Sequence, residues 1–562
     1  MRNLSFIIGL FLTISLLWPL FSAPYFTHHD DVQIIRLFEM DKCIKDLQIP
    51  CRWVPDLGGL YGYPIFNYYA PLPYYFGEIF YLLSDNLILA AKVMFLTPFL
   101  GAYIFMYLFA RKFWGNWGGF LSGVFYSFAP YHAVVFYVNG AIGELWGLMF
   151  FPAVFWALSR LKEKETLLDS LLVGFFIACL IIAHNLSAMI FLPVILLWIL
   201  ISGWGNIKFL RFCLLSILLA LLLSCFYWLP MVSEKSLVHV ETTTYGYFSY
   251  TEHFKGLRKL FLDRSWGWGA SVREYPGGEK NGMSFQIGIV HLLAFILSII
   301  GLKYLWNKNR KSVASIVFFS LTFALSIFMV HPRSEFIWKS IEPLKYLQFP
   351  WRFLMLIIFS ISFICGSVVL WWKRTKIKVL VFVLSVLCVT ANFYYFKPEK
   401  FLNVTQEQLL SGDNWDRQIK RSIFDYLPKS AKAPPAELAR SDYEIIIGEI
   451  KVSELKKGSD WITLQANAKT LTIIRLSAYY FPNWVVTVDG KEVEINPRND
   501  LGLITFAIDP GIHKIEARLL NTTMRNVSNV ASVTGILLFI VLLFSRLPVP
   551  RRWMFYYIKA FN

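Results

Sequence analysis

Long apolar runs separated by short basic loops fill most of this chain, and the period of the pattern shortens once, near residue 444. Windows of about 20 apolar residues are the signature of helices that cross a membrane. They fall at 4–23, 86–110, 117–138, 142–160, 167–183, 186–204, 209–230, 284–306, 312–331, 351–372, 377–396 and 527–545, which makes about twelve spans by that criterion. From residue 444 the runs are short: 444–452, 461–466, 470–477, 484–488, 491–495, 503–508 and 514–519 read as strands. Asp489-Gly490, between Val488 and Lys491, is a two-residue hairpin turn, and Asp509-Pro510-Gly511 marks another. The expected architecture is an α-helical polytopic membrane protein with a C-terminal β-sandwich. Its parts are a membrane domain over 1–396, a connector and β-sandwich over 397–526, and a final span with a basic tail over 527–562.

Composition removes the alternatives to a membrane protein. At 562 residues, 56% hydrophobic and 16% charged, with a mean hydropathy of +0.51, the chain lies outside the range of water-soluble domains. The net charge of +17 suggests nucleic acid until its distribution is read. Arg111-Lys112, Arg160 to Lys164, Lys208 with Arg211, Lys303 to Lys311, Lys373 to Lys378, Arg546 and Arg551-Arg552 all fall on one side if the spans alternate. The positive-inside rule makes that side the cytoplasm, so no nucleic-acid partner is expected. Both termini are then cytoplasmic, the protein is a multi-pass protein of the plasma membrane, and segments 24–85, 231–283, 332–350 and 397–526 are extracytoplasmic. The length of the 4–23 stretch favours a retained anchor over a cleaved signal.

The first outer segment divides into three. Residues 32–47 have the spacing of an amphipathic helix lying on the membrane surface, 48–62 are broken by Pro and Gly, and 63–83 are rich in aromatics. Tyr61 and Tyr63, with their aromatic neighbours, suit either the headgroup layer or stacking against sugar faces. Trp266 and Trp268 lie in a glycine-bearing loop that reads as a lid or acceptor cradle, or as a headgroup anchor. Cys43 and Cys51 are the two cysteines outside the apolar runs, and a disulfide between them suits an oxidising compartment. No Cys or His spacing points to zinc.

Polar residues recur at the outer ends of the spans: Asp30 and Asp31 after the first, Glu144, His184, Glu234, and Arg352. Carboxylates at a membrane surface are costly to desolvate and mark candidate sites. For Asp30 and Asp31 the structural alternative is capping of a helix that starts near Val32.

His29-Asp30, Pro55 to Gly59 with Tyr61 to Pro64, Phe66 to Pro73, Phe128 to Tyr131, Glu144, His184-Asn185, Phe226 to Pro230 with Glu234, and Gln348 to Arg352 together resemble the membrane proteins labelled "6-pyruvoyl-tetrahydropterin synthase-related". The Trp484 to Gly490 hairpin resembles the C-terminal domain of the related YfhO-type proteins. The chain lacks the histidine cluster of a soluble zinc pterin synthase. The resemblance implies a GT-C-like fold and an enzyme: a glycosyltransferase with a catalytic acid in the first outer loop and a polyprenyl-phosphate-linked sugar donor. The expected partners are membrane lipid, that donor, and a glycan or protein acceptor. The chemistry of the residues agrees. Asp30 is the expected base, with Asp31 second, and Glu144 and Glu234 orient the acceptor or join Asp30 around a divalent Mg or Mn if the donor is a diphosphate. Arg352 is the expected phosphate partner, assisted by His28, His29 and His184. With no second acid placed for a covalent intermediate, the expected outcome is inversion. Competing readings are a transporter or flippase of lipid-linked glycans, which predicts broken helices, and a non-catalytic envelope-assembly protein.

Overall fold

The computed structural model of the protein describes residues 4–272, 282–371, 376–421 and 425–545. Lys373, the glycine pair Gly277-Gly278 and the basic positions Arg546, Arg551 and Arg552 lie outside the described residues. Among those described, seven helices are long and apolar enough to cross a membrane: Leu87–Ser127, Ile142–Lys164, Asn185–Ser202, Arg310–Val330, Pro350–Leu370, Ile377–Tyr395 and Thr523–Phe544. The helices Ile207–Leu223 and Cys225–Ser233 make an eighth if taken together across their 71° bend, and Leu4–Ser15, Leu167–Ala183 and Ile289–Leu305 are shorter apolar helices.

Leu87–Ser127 is 41 residues long because two helices meet at Gly115, whose φ of +72° and ψ of −174° no other residue adopts without strain. The arms fold back on each other. A Cβ on Gly119 would lie 2.9 Å from the Tyr107 carbonyl oxygen, and one on Gly123 would lie 2.7 Å from the Tyr103 ring. Small residues on the returning arm let the two backbones approach.

The bend at Ser224 is closed from outside. The Ser532 hydroxyl, on the last helix, accepts from the Phe226 amide at 2.7 Å and donates to the Leu222 carbonyl at 2.9 Å. A break between apolar helices frees backbone groups that a neighbour must answer, and Ser532 does this.

The C-terminal part holds two antiparallel sheets. One runs in the order Ile450–Lys457, Trp461–Ala468, Gly511–Leu519, Trp484–Val488, Lys491–Val493; the other runs Tyr443–Ile447, Thr472–Tyr479, Leu503–Ile508. Alternate positions such as Leu464, Val486 and Ile515 from the first and Ile474, Leu476 and Phe506 from the second share one apolar core. The Asp489-Gly490 turn is present, with Val488 paired to Lys491 and positive φ at both turn residues. The single strand expected over 444–452 is two strands in different sheets. Gly448 separates them at φ +97°, where a Cβ would meet the Leu471 carbonyl oxygen at 2.6 Å.

Residues 24–85 depart from expectation in a way that shapes the site. The helix Gln33–Lys45 does not lie on a surface: Ile34, Ile35, Leu37 and Met40 are buried, and so are Gln33, Arg36, Glu39 and Asp41. The helices Leu72–Ser84 and Gly412–Arg421 pack against it, with Phe38 edge-on to Trp415 and Leu37 beside Gly77. Cys43 and Cys51 are joined by a disulfide. Trp53 from this segment enters the core of the sheets, edge-on to Trp484 at 5.7 Å.

Replacing Gly115 by Ala forces a side chain into that backbone conformation and costs about 1–3 kcal/mol; we expect a lower thermal midpoint in detergent, and an unchanged one contradicts the hairpin. Burial, then Asp41, pushes the Glu78 carboxyl up to about 7. Between its ordinary pKa near 4.5 and 7 the folded chain then holds a proton that the unfolded chain has lost, so stability falls as pH rises through that window. Glu78→Gln should flatten the thermal midpoint against pH between 5 and 8 (roughly this window).

Candidate active site

The position of Asp30 is set by backbone. Pro130–Ala133 leads into a π-helical turn, Val134–Asn139, which ends at Gly140 with φ +65°. The amides of His29 and Asp30 donate to the carbonyls of Val138 and Asn139, each at 2.8 Å. The Gln33 side-chain amide donates to the Gly140 carbonyl, and Gln33 is itself held by the Tyr74 hydroxyl. Gly140 has to be glycine, since a Cβ would lie 2.4 Å from the His28 ring. On the other side Tyr25–Phe26 pairs with Phe401–Leu402 as a two-stranded ladder. The capping alternative for the acids does not hold: the N-cap of Gln33–Lys45 is Val32, with no side-chain cap.

A cavity of about 1250 Å³ opens beside this clasp. Asp30, Asp31, His28 and His29 line one wall, and Glu144, His184 and Arg352 line another. The cavity then follows the Asn185–Ser202 helix through Leu186, Met189 and Leu192 and reaches Leu221 and Trp228 of the bent pair. Leu221, which lines this apolar stretch, is 40% exposed. The cavity is therefore polar at the helix ends and apolar along the spans.

Glu144, in the first turn of its helix, accepts from the Tyr131 hydroxyl and lies 3.6 Å from Arg352 Nε. Arg352 Nη1 donates to the Leu347 carbonyl at 2.7 Å and to Gln348 Oε1 at 3.1 Å. Gln348 sits at φ +61°, a strained conformation for a residue with a side chain, held by these contacts and by its amide donating to the Thr243 carbonyl. Arg352 is thus fixed by protein acceptors through Nη1. His184 caps the helix that follows it, accepting from the Ser187 amide at Nδ1. The neutral ring then carries its proton on Nε2. His29 Nε2 donates to the Trp268 carbonyl at 2.6 Å and holds that loop over the cavity, which Trp268 also lines. Asp31 pairs with Arg417 at 3.3 Å.

Four expected site residues are elsewhere. Glu234 is buried outside the cavity lining, accepting from Arg525 Nε at 2.9 Å, Thr522 Oγ1 at 2.6 Å and Asn67 Nδ2 at 2.9 Å. It ties the last helix to residues 24–85, and a carboxylate with three donors is a fastening. Tyr61 packs on Tyr479 at 5.5 Å, against the sheets. Tyr63 is fully buried, its hydroxyl accepting from the Tyr426 amide at 2.6 Å. Trp266 stacks on Tyr395 at 4.8 Å. Among the described residues no three His, Cys, Asp or Glu side chains are grouped to hold a metal.

The cavity also takes charged residues that the sequence pattern does not single out: Arg36, Lys235, Glu399, Arg417 and Asp425. Burial pushes the Asp425 carboxyl above the usual carboxylate range, against the pull of Arg36. The one sequence signal for Arg36 is a charge inside the apolar run Ile34 to Leu37.

Residues 66–397 match the family described as "6-pyruvoyl-tetrahydropterin synthase related domain; membrane protein". The chain belongs to that family. The chain is 24% identical over 241 residues to an uncharacterised protein of Lactococcus lactis subsp. cremoris strain MG1363, a match that covers 41% of this chain and 39% of that relative. Three solved structures share low identity. The mycobacterial arabinofuranosyltransferase AftD is 11% identical with a TM-score of 0.47, covering 72% of this chain and 28% of its own. The Archaeoglobus fulgidus oligosaccharyltransferase is 11% identical with a TM-score of 0.45, covering 76% and 57%. ArnT from Cupriavidus metallidurans, bound to undecaprenyl phosphate, is 10% identical with a TM-score of 0.41, covering 70% and 76%.

If Glu234 is a fastening in this family member, Glu234→Ala should lower stability by about 3–5 kcal/mol by stranding Arg525. Any activity per folded molecule should be unchanged, and a fall in that ratio at unchanged thermal midpoint would return Glu234 to the site.

Proposed function

We propose that the protein is a membrane glycosyltransferase that moves a sugar from a polyprenyl-phosphate-linked donor to an acceptor hydroxyl on the extracytoplasmic face. One observation carries the reading: a single cavity joins acids and cations at the helix ends to an apolar stretch along the helices. That shape suits a ligand with a charged head and a hydrocarbon tail. We read the two arms at Gly115 and the three shorter apolar helices as spans, which returns about twelve, with both termini cytoplasmic. The two sheets are then an extracytoplasmic sandwich.

In this reading Asp30 takes the proton of the acceptor hydroxyl as its oxygen attacks the anomeric carbon. The bond from that carbon to the phosphate oxygen breaks, and the phosphate leaves with the electron pair. Arg352 Nη2 and His184 Nε2 donate to the phosphate oxygens where that charge develops. Glu144 keeps Arg352 in place, and Asp31, fixed by Arg417, keeps a second carboxylate near the attacking group. One displacement on one face inverts the anomeric centre. Trp268, held by His29, covers the acceptor side.

The 71° bend in Ile207–Leu223 and Cys225–Ser233, beside the cavity, is the kind of break that transporters use and favours a second reading as a flippase. Supplying a radiolabelled polyprenyl-phosphate sugar separates the two: an enzyme puts the label on an acceptor, and a flippase moves the lipid and leaves its bond intact. Asp30→Asn should abolish transfer, a loss of at least about a hundredfold, while the thermal midpoint stays; transfer at the wild-type rate removes Asp30 as the base.

A further inference from the structure

Arg36 is 6% exposed and lines the cavity. Its guanidinium stands over the Tyr69 ring at 4.3 Å. Its Nε has no hydrogen-bond partner, and among the described residues no carboxylate oxygen lies within 4 Å of it. The other arginines that line the cavity differ: Arg352 has Glu144 and two protein acceptors, and Arg417 has Asp31. Asp30 and Asp425 act on Arg36 through space and do not pair with it.

A buried guanidinium is retained against a large desolvation cost when something anionic compensates it. Its neighbours here are Tyr69, whose ring supports the plane of the group, and Tyr74, whose hydroxyl is within hydrogen-bonding reach of it; the group still lines the cavity with no anion beside it among the described residues. The edge of a guanidinium matches two oxygens of a phosphate or carboxylate. We infer that Arg36 is the anion anchor of the cavity, binding a phosphate-type group of the substrate by its edge while Tyr69 supports its face. This rests on the reading of the cavity as a substrate site and adds Arg36 to Arg352 and His184 as an anion contact. The phosphate has two sources, the lipid donor and a phosphate-bearing acceptor such as a polyol phosphate.

The test uses the full chain in nanodiscs with two probes, undecaprenyl phosphate in the bilayer and glycerol 3-phosphate in the buffer. Binding is read by tryptophan fluorescence, since Trp228, Trp268 and Trp351 line the cavity. Arg36→Gln should weaken one probe about tenfold or more, and Arg36→Lys, which keeps the charge and loses the planar edge, should weaken the same probe about threefold or more. Loss for the lipid alone assigns the donor phosphate; loss for glycerol 3-phosphate alone assigns an anionic acceptor. Both affinities within about twofold of wild type in both variants overturn the inference, and leave Arg36 as a charge that steadies Asp30 and Asp425. If only Arg36→Lys folds, that variant alone decides by the same thresholds. Weakened binding in a protein that shows no sugar transfer supports Arg36 and removes the enzyme reading. Sugar transfer with unchanged binding removes Arg36.

Discussion

Two hydrogen bonds from consecutive amides, His29 to Val138 and Asp30 to Asn139, hold the rest of the site in place. They exist because the chain at Val134–Asn139 is wound as a π-turn, which shifts its carbonyls out of the ordinary ladder and leaves the last ones for another segment. Gly140 then reverses direction with positive φ and lets the His28 ring close against the backbone. The acid pair is thus fixed to a membrane helix end by main chain, independent of its own side-chain contacts. Glu144 follows two residues after the helix resumes at Ile142, so both walls of the cavity descend from this one irregularity.

The second constraint is the fusion of residues 24–85 with the sheets. Trp53 and Tyr68 belong to the sheet core, Gln48 donates to Ser459 Oγ, and Tyr426 stacks on Tyr68. The connector is held by the same tyrosines: Tyr63 binds the Tyr426 amide, one residue beyond Asp425. Arg417 and Asp425 reach the cavity because the C-terminal part is anchored on the segment that carries Asp30. Removing the sheets would therefore unmake one wall of the site along with a separate domain. The Glu234–Arg525 pair does the same work from the last helix.

What the sequence discloses, it discloses through periodicity. The apolar helices, the Asp489-Gly490 hairpin and the level at which Asp30, Glu144, His184 and Arg352 lie all follow from local pattern. The failures are tertiary. Gln33–Lys45 has an amphipathic spacing, yet its polar face is covered too, so Arg36, Glu39 and Asp41 are buried and only Lys42 and Lys45 at its end reach the surface. Glu234 shares the helix-end level of the site residues, and its engagement by an arginine 291 positions away has no local signature. Tyr61 packs on Tyr479 of the sheets and Tyr63 is buried against Tyr426 of the connector, arrangements that a sugar-stacking pattern imitates. Gly448 splits one apparent strand between two sheets through a φ that a run of β-formers hides.

The charges around the cavity bear on why a reaction of the proposed kind suits it. Asp30, Asp31, Glu144, Glu399 and Asp425 face Arg36, Lys235, Arg352 and Arg417, so the signs nearly balance and interleave. Sugar transfer with a carboxylate base does not alter the total charge: the negative charge leaves Asp30 and reappears on the departing phosphate. A site for that step has no need of a strong net field. It needs fixed dipoles and cations at the receiving end, which do not reorganise while the charge moves. Arg352 is held by Leu347, Gln348 and Glu144, and Arg36 is held by a ring, so both guanidiniums are set before a ligand arrives. The strain accepted at Gln348, whose side chain fixes Arg352, is consistent with a geometry maintained for that purpose.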